Sequence, residues 1–222
     1  MFPLSFILTL NPMNQHSLLT QYPKLHMVVA VSKTRPIEDI KAKIDDGFSH
    51  FGENRAPELH EKAQHGLPVT WHFIGRIQTN KLKEIVEVST WIHSVDSLKQ
   101  LILIDKYAAQ FNKTINVLIQ LNLTDEAQKG GVKPDELESL LSSAQDFSHI
   151  KLNGLMVMGP SDADPIKTEA CFRLAQSIFI QTQKSHPEMT ELSMGMSHDY
   201  DLAYRYGSTC FRLGTILFGQ RQ

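Results

Sequence analysis

Cysteine is scarce in this chain, two residues in 222. Cys171 and Cys210 lack the spacing of a metal site or of a disulfide framework. Both stand among apolar neighbours and read as small buried side chains, which suits a reducing compartment. An excess of either charge is also missing. Twenty-two Lys and Arg against 24 Asp and Glu give a net charge of -2, and the pI is about 6.5, so there is no basic field to draw nucleic acid or an anionic membrane. Long hydrophobic runs are lacking too. The opening MFPLSFILTLNPM is too short to span a bilayer, has no basic n-region or small-residue cleavage site, and is broken by Pro3 and Pro12. Absent as well are a glycine-rich dinucleotide turn, a Walker loop, an H-E-x-x-H pair and a G-x-S-x-G elbow. These absences set aside a membrane span, nucleic-acid binding and several common catalytic designs.

What remains is ordinary soluble-protein composition, 41% hydrophobic and 21% charged, in a chain long enough to bury a core without crosslinks. No low-complexity stretch or linker marks a domain boundary. We read residues 1–25 as a variable, irregular lead-in, with Met13 as an alternative start that intact mass would test, and residues 26–222 as one domain.

Within that domain one pattern recurs, a short β-branched or aromatic run followed by a turn and an apolar stripe at helical spacing. The strand-like runs are Met27 to Ser32, Phe48 to Gly52, Thr70 to Gly75, Trp91 to Val95, Ile115 to Leu123, Ile150 to Met158, Glu191 to Gly195 and Cys210 to Gly214. Helix starts are signalled by Pro36, by Asn54 as a cap, by Asp96 or Ser97, by Pro134, and by Asp164 with Pro165. Strands alternating with helices imply a parallel sheet. About eight units in this length predict an α/β fold, a single (β/α)8 TIM-type barrel. An open doubly wound sheet would instead carry a glycine-rich turn after its first strand, where this chain has Ser32-Lys33-Thr34-Arg35-Pro36.

Barrel sites are built at the C-terminal ends of strands. Those ends hold Lys33; Glu53 and Asn54; Arg76 and Gln78; Asp96; Lys129; Met158 and Ser161; Ser193 and Ser197; and Arg212, Gly214 and Thr215, with His72 and His93 inside strands. Lys33 follows the apolar run Val28-Val29-Ala30-Val31. A desolvated lysine there loses its proton more easily and attacks a carbonyl; a plain surface lysine on a loop is the competing reading. Ser197, Gly214 and Thr215 fall in the loops after strands seven and eight, where barrels often bind phosphate, though serine and glycine are also common in turns. Arg212 interrupts a buried strand and needs a partner, either a carboxylate or a ligand ring nitrogen. His72 and His93 read as hydrogen-bonded core histidines, Met156 and Met158 as core filler, and Asp45-Asp46 and Asp125-Glu126 as solvated charges.

The segments VAVSKTRP, HFGENRAPE, WHFIGRIQTNK, IHSVDS, GLMVMGP and LSMGMSHDYDLAYRYGSTCFRLGTILFGQR closely resemble the pyridoxal phosphate (PLP) homeostasis proteins, short relatives of the alanine racemase N-terminal barrel. The resemblance runs from Met27 to Arg221. It implies PLP held as a Schiff base on Lys33, its phosphate ringed by Ser193, Ser197, Gly214 and Thr215, and Arg212 facing the pyridine nitrogen. Lys129 would approach the phenolic oxygen or form a second PLP site, Met158 would pack on the ring, and Asn54 and His72 would be pocket wall. The chain departs from many members at Arg55, Pro57, Arg76 and Thr79 and in its short N-terminal region.

The implied function is intracellular homeostasis of PLP in the cytoplasm, without robust catalysis, by a monomer or weak dimer. Its partners would be PLP and, as transient recipients, PLP-dependent apoenzymes, with neither nucleic acid nor membrane. The alternative is an amino-acid racemase or another fold type III PLP enzyme. A phosphate-ester barrel enzyme without PLP is a third class that the phosphate loops allow.

Overall fold

The computed structural model describes residues 13–124, 126 and 129–220. After helix α1 (Gln15–Gln21) the chain alternates strand and helix: β1 (Met27–Val31), α2 (Ile37–Asp45), β2 (His50–Glu53), α3 (Ala56–Ala63), β3 (Thr70–Phe73), α4 (Leu82–Val88), β4 (Trp91–Val95), α5 (Leu98–Gln110), β5 (Ile115–Leu121), α6 (Leu137–Ser142), β6 (Ile150–Val157), α7 (Pro165–Ser185), β7 (Glu191–Ser193), α8 (Tyr200–Arg205), β8 (Cys210–Leu213) and α9 (Thr215–Phe218). Each strand pairs in parallel with the next, and β8 pairs with β1 from Met27↔Cys210 to Ala30↔Leu213, closing the barrel. This is the expected (β/α)8 architecture.

Strands buried on both faces read as continuous apolar runs, and all four residues of β8 are buried. Alternate residues serve different layers. Val28 and Ala30 join the large core beneath the helices, whereas Met27, Val29 and Cys210 form a separate small cluster against Trp91. Both cysteines are buried and free. Burial pushes the Cys171 thiol up to about 11 and the Cys210 thiol up to about 12.

Several boundaries differ from the sequence expectation. The lead-in is not irregular from residue 14 onward: the Asn14 side chain caps α1 by accepting from Ser17 N at 2.8 Å. Leu18 and Tyr22 are buried, and Tyr22 packs edge-on against Tyr200, Tyr204 and Phe211. These contacts fasten α1 to α8 and β8. Asn54 is not a cap; Arg55 holds that position without a side-chain cap bond. Helix α6 starts three residues after Pro134, at Leu137. Strand β7 stops at Ser193, with Gly195 beyond it at φ +96°. Glu126 is not merely solvated: it bonds Lys129 Nζ at 2.7 Å and Ser161 N at 3.0 Å, which pulls its carboxyl down to about 2. Asp125 lies outside the described residues.

Candidate functional site

A cavity of about 430 Å³ opens at the C-terminal ends of the strands, and Lys33, Asn54, Lys129, Met158, Ser197, Arg212, Gly214 and Thr215 all line it. Eight of the ten residues that the sequence nominates therefore converge on one space. Ser193 and His72 do not line it; both are fully buried below it.

The segment that presents Lys33 is clamped from below. Ser32 Oγ donates to Glu53 Oε1 at 2.6 Å. Lys62, on α3, donates to Ser32 O at 2.7 Å, to Glu53 Oε1 at 2.8 Å and to Glu58 Oε1 at 2.7 Å. Thr34 N donates to Glu58, and Arg35 N to Ser32 O at 2.9 Å, closing the turn around Lys33. Glu53 is fully buried. Its desolvation raises the carboxyl above the ordinary glutamate range, against the opposing pull of Lys62. A buried ion pair of this kind contributes rigidity and position more dependably than net stability.

At the end of β8, the strand beside β1, Ser197 Oγ accepts from Gly214 N and Ile216 N, each at 3.2 Å. One hydroxyl and two main-chain amides thus meet on a small patch beside Thr215. Asp199 orders the approach to it, accepting from Met196 N at 2.6 Å. On the far wall, Lys129 Nζ donates to Gly159 O at 2.6 Å as well as to Glu126, while Gln120 Nε2 donates to Lys129 O at 2.7 Å. Gly75 also lines the cavity, and a Cβ there would lie 2.1 Å from the Asn54 carbonyl oxygen, so no larger residue fits without displacing Asn54.

Arg212 joins the cavity to the barrel interior. It donates to Ser193 Oγ at 2.8 Å and to Val157 O at 3.0 Å. From Ser193 a row of imidazoles crosses the barrel: Ser193 Oγ to His93 Nδ1 at 3.2 Å, His93 Nε2 to His72 Nδ1 at 2.9 Å, and His72 Nε2 to His50 Nδ1 at 2.9 Å. Arginine can only donate. With Arg212 donating, the Ser193 hydroxyl donates onward, and each imidazole in turn accepts at Nδ1 and donates from Nε2. Burial holds His72 and His93 well below the ordinary histidine range and His50 below it, so the row is neutral. Trp91 stacks on His72 with the rings 9° from parallel. His72 and His93 are hydrogen-bonded core histidines, as their strand positions suggested, and His72 reaches the cavity only through this row.

Sequence reasoning missed Gln120, Met196 and His198, which also line the cavity. Gln120 had a signal, a polar residue set inside the apolar stretch Val117 to Leu121 of β5. Met196 and His198 sit in a loop whose course only the fold sets.

The family model described as alanine racemase, N-terminal domain, matches residues 15–222. The chain belongs to that family. Within it, the chain is 39% identical over 201 residues to the pyridoxal phosphate homeostasis protein of Pasteurella multocida, covering 87% of this chain and 86% of that one. It is 37% identical over 218 residues to the protein of the same name from Synechocystis, covering 95% and 99%. At this level of identity and coverage the chain is a member of the pyridoxal phosphate homeostasis proteins. Among solved family structures, PipY of Synechococcus elongatus with PLP bound superposes with a TM-score of 0.85 at 35% identity, covering 92% of this chain and 97% of that one. No helix among the described residues is long and apolar enough to cross a membrane.

Proposed function

We propose that this protein binds PLP in the barrel-mouth cavity, held covalently through the Lys33 amine, and serves the intracellular balance of that cofactor. The observation that carries this reading is the donor set. Lys33, Arg76, Lys129 and Arg212 line one cavity that, among the described residues, no carboxylate lines, although Lys129 is bridged to Glu126. In a chain of net charge -2, such a gathering of cations fits an anionic ligand.

PLP supplies an aldehyde, a phosphate dianion and a pyridine nitrogen. The residues present match these in turn. Lys33 is the amine for the aldehyde. The Ser197 and Thr215 hydroxyls are the hydrogen-bond donors for the phosphate, joined by the Gly214 and Ile216 amides once the Ser197 hydroxyl that they bond turns to the ligand; Met158 is the apolar wall for the ring, and Lys129 is a cation for the phenolic oxygen. Arg212, fixed by Ser193 and Val157 O, offers its remaining N–H groups to the ring nitrogen. A guanidinium has no acceptor and stays charged, so Arg212 keeps that nitrogen unprotonated and withholds the electron sink on which strong PLP catalysis relies. Ser193 and His72 support Arg212 from below. The homeostatic role, with PLP-dependent apoenzymes as transient recipients and a monomer or weak dimer in the cytoplasm, is part of this proposal.

Absorbance of the purified, PLP-treated protein tests it. We expect a band near the visible edge that is missing in Lys33→Ala. A band unchanged in that variant, or none in the wild type, overturns the assignment. Solvent deuterium exchange at Cα of a panel of amino acids, run on the same preparation, separates this role from that of a racemase: fast, saturable exchange would mark an enzyme.

A further inference from the structure

A second cavity of about 410 Å³ adjoins the first, and Asn54 and Arg76 line both. Its other polar walls are Arg55, Gln78 and Lys81, and among the described residues no carboxylate lines it. Lys81 is bridged to Glu84 at 2.8 Å. The guanidinium groups of Arg55 and Arg76 have neither a hydrogen bond nor an ion pair among the described residues. Together the two adjoining cavities gather six of the 22 basic side chains of an acid-excess protein. Of its apolar lining, Phe73 and Ile85 are buried and Pro57 is exposed, and Arg55 and Arg76 are themselves exposed to solvent.

We propose that this second cavity is an anion subsite, in which Arg55 and Arg76 grip the carboxylate or phosphate of a second small molecule while the first cavity holds its own ligand. Two guanidiniums lining one cavity present planar forks suited to paired oxygens, which a point cation does not reproduce. The volume, about 410 Å³, exceeds what a bare oxyanion needs and leaves room for the organic part of a small carboxylic acid or phosphate ester. Arg76, common to both spaces, brings the two ligands into electrostatic contact. The inference does not depend on what fills the first cavity.

The test is calorimetric titration of the full-length protein, PLP-loaded if it takes up PLP and as purified otherwise. Inorganic phosphate and succinate are titrated in separate arms, with sodium chloride matched for ionic strength. We expect saturable binding of at least one probe, about tenfold weaker in Arg55→Ala, weakened in Arg55→Lys, and lost in Arg55→Ala with Arg76→Ala. Phosphate alone binding identifies a phosphorylated ligand, and succinate alone a carboxylic acid. Arg55 lines only the second cavity, so Arg55→Ala keeps the absorbance of the wild type. No binding beyond the chloride control, or binding in Arg55→Ala as tight as in the wild type, overturns the proposal. If the double variant fails to fold, Arg55→Ala alone decides.

Discussion

The mouth and the interior of this barrel treat basic nitrogen in opposite ways. At the mouth, Lys33, Lys129, Arg76 and Arg212 gather as cations around a cavity open to solvent. A few residues deeper, His93 and His72 are fully buried, neutral and, among the described residues, hydrogen-bonded only to one another, to His50 and to Ser193. The difference follows from solvation. A cation at the rim keeps water or an anion as company, whereas a cation in the interior would have to shed its hydration without a carboxylate to replace it. Arg212 stands at the border, bonded to Ser193 and Val157 O and at the same time lining the cavity. The lesson is that the interior is built to aim Arg212 without adding charge beneath it.

The comparison breaks most sharply at Lys62, a buried lysine with carboxylate partners. Lys62→Met removes the charge that compensates Glu53 and frees the turn that carries Lys33. It is expected to cost about 3–5 kcal/mol, as loss of one partner of a buried pair does, measured as the shift of the urea unfolding midpoint. A smaller effect is expected from Ser193→Ala, which leaves an Arg212 N–H and the acceptor nitrogen of His93 without their shared hydroxyl. About 1–3 kcal/mol is expected for these stranded groups, again by urea unfolding.

The smallest effect is graded with pH. The folded-state values of His50, His72 and His93 lie below the ordinary 6.5. The unfolded chain therefore takes up protons that the fold refuses, and the stability these groups contribute is present above pH 6.5 and lost as pH falls below it. Each deeply buried imidazole contributes a slope of up to about 1.4 kcal/mol per pH unit in that window. Glu53 has the opposite sign, since its raised value favours the fold at low pH. Unfolding of the wild type against His72→Phe between pH 7 and pH 5 isolates the imidazole contribution, and identical slopes would show that His72 is charged in the fold.

Much of the architecture was legible in the chain. The β4 run Trp91 to Val95 forms a strand with those very ends, and the strand ends nominated Lys33, Arg212, Gly214 and Thr215, which the fold does bring together. The helix start at Asp164 was legible because a cap acts within three residues, and its side chain accepts from Ile166 N and Lys167 N. Less legible were α1, whose stability rests on Tyr22 packing against residues about 180 positions away, and the role of Ser193, which faces Arg212 and His93 rather than the cavity.

The sequence by itself determined the alternation of strand and helix, the barrel and the set of polar residues at one rim, because these depend on periodicity and on spacing along the chain. Tertiary structure alone decided that His50, His72, His93, Ser193 and Arg212 form a single row, that Lys62 reaches under the Lys33 turn, and that Arg55 and Arg76 line one cavity. Those relations link side chains on different strands and helices. Their distances are set when the sheet closes on itself, which no local pattern encodes.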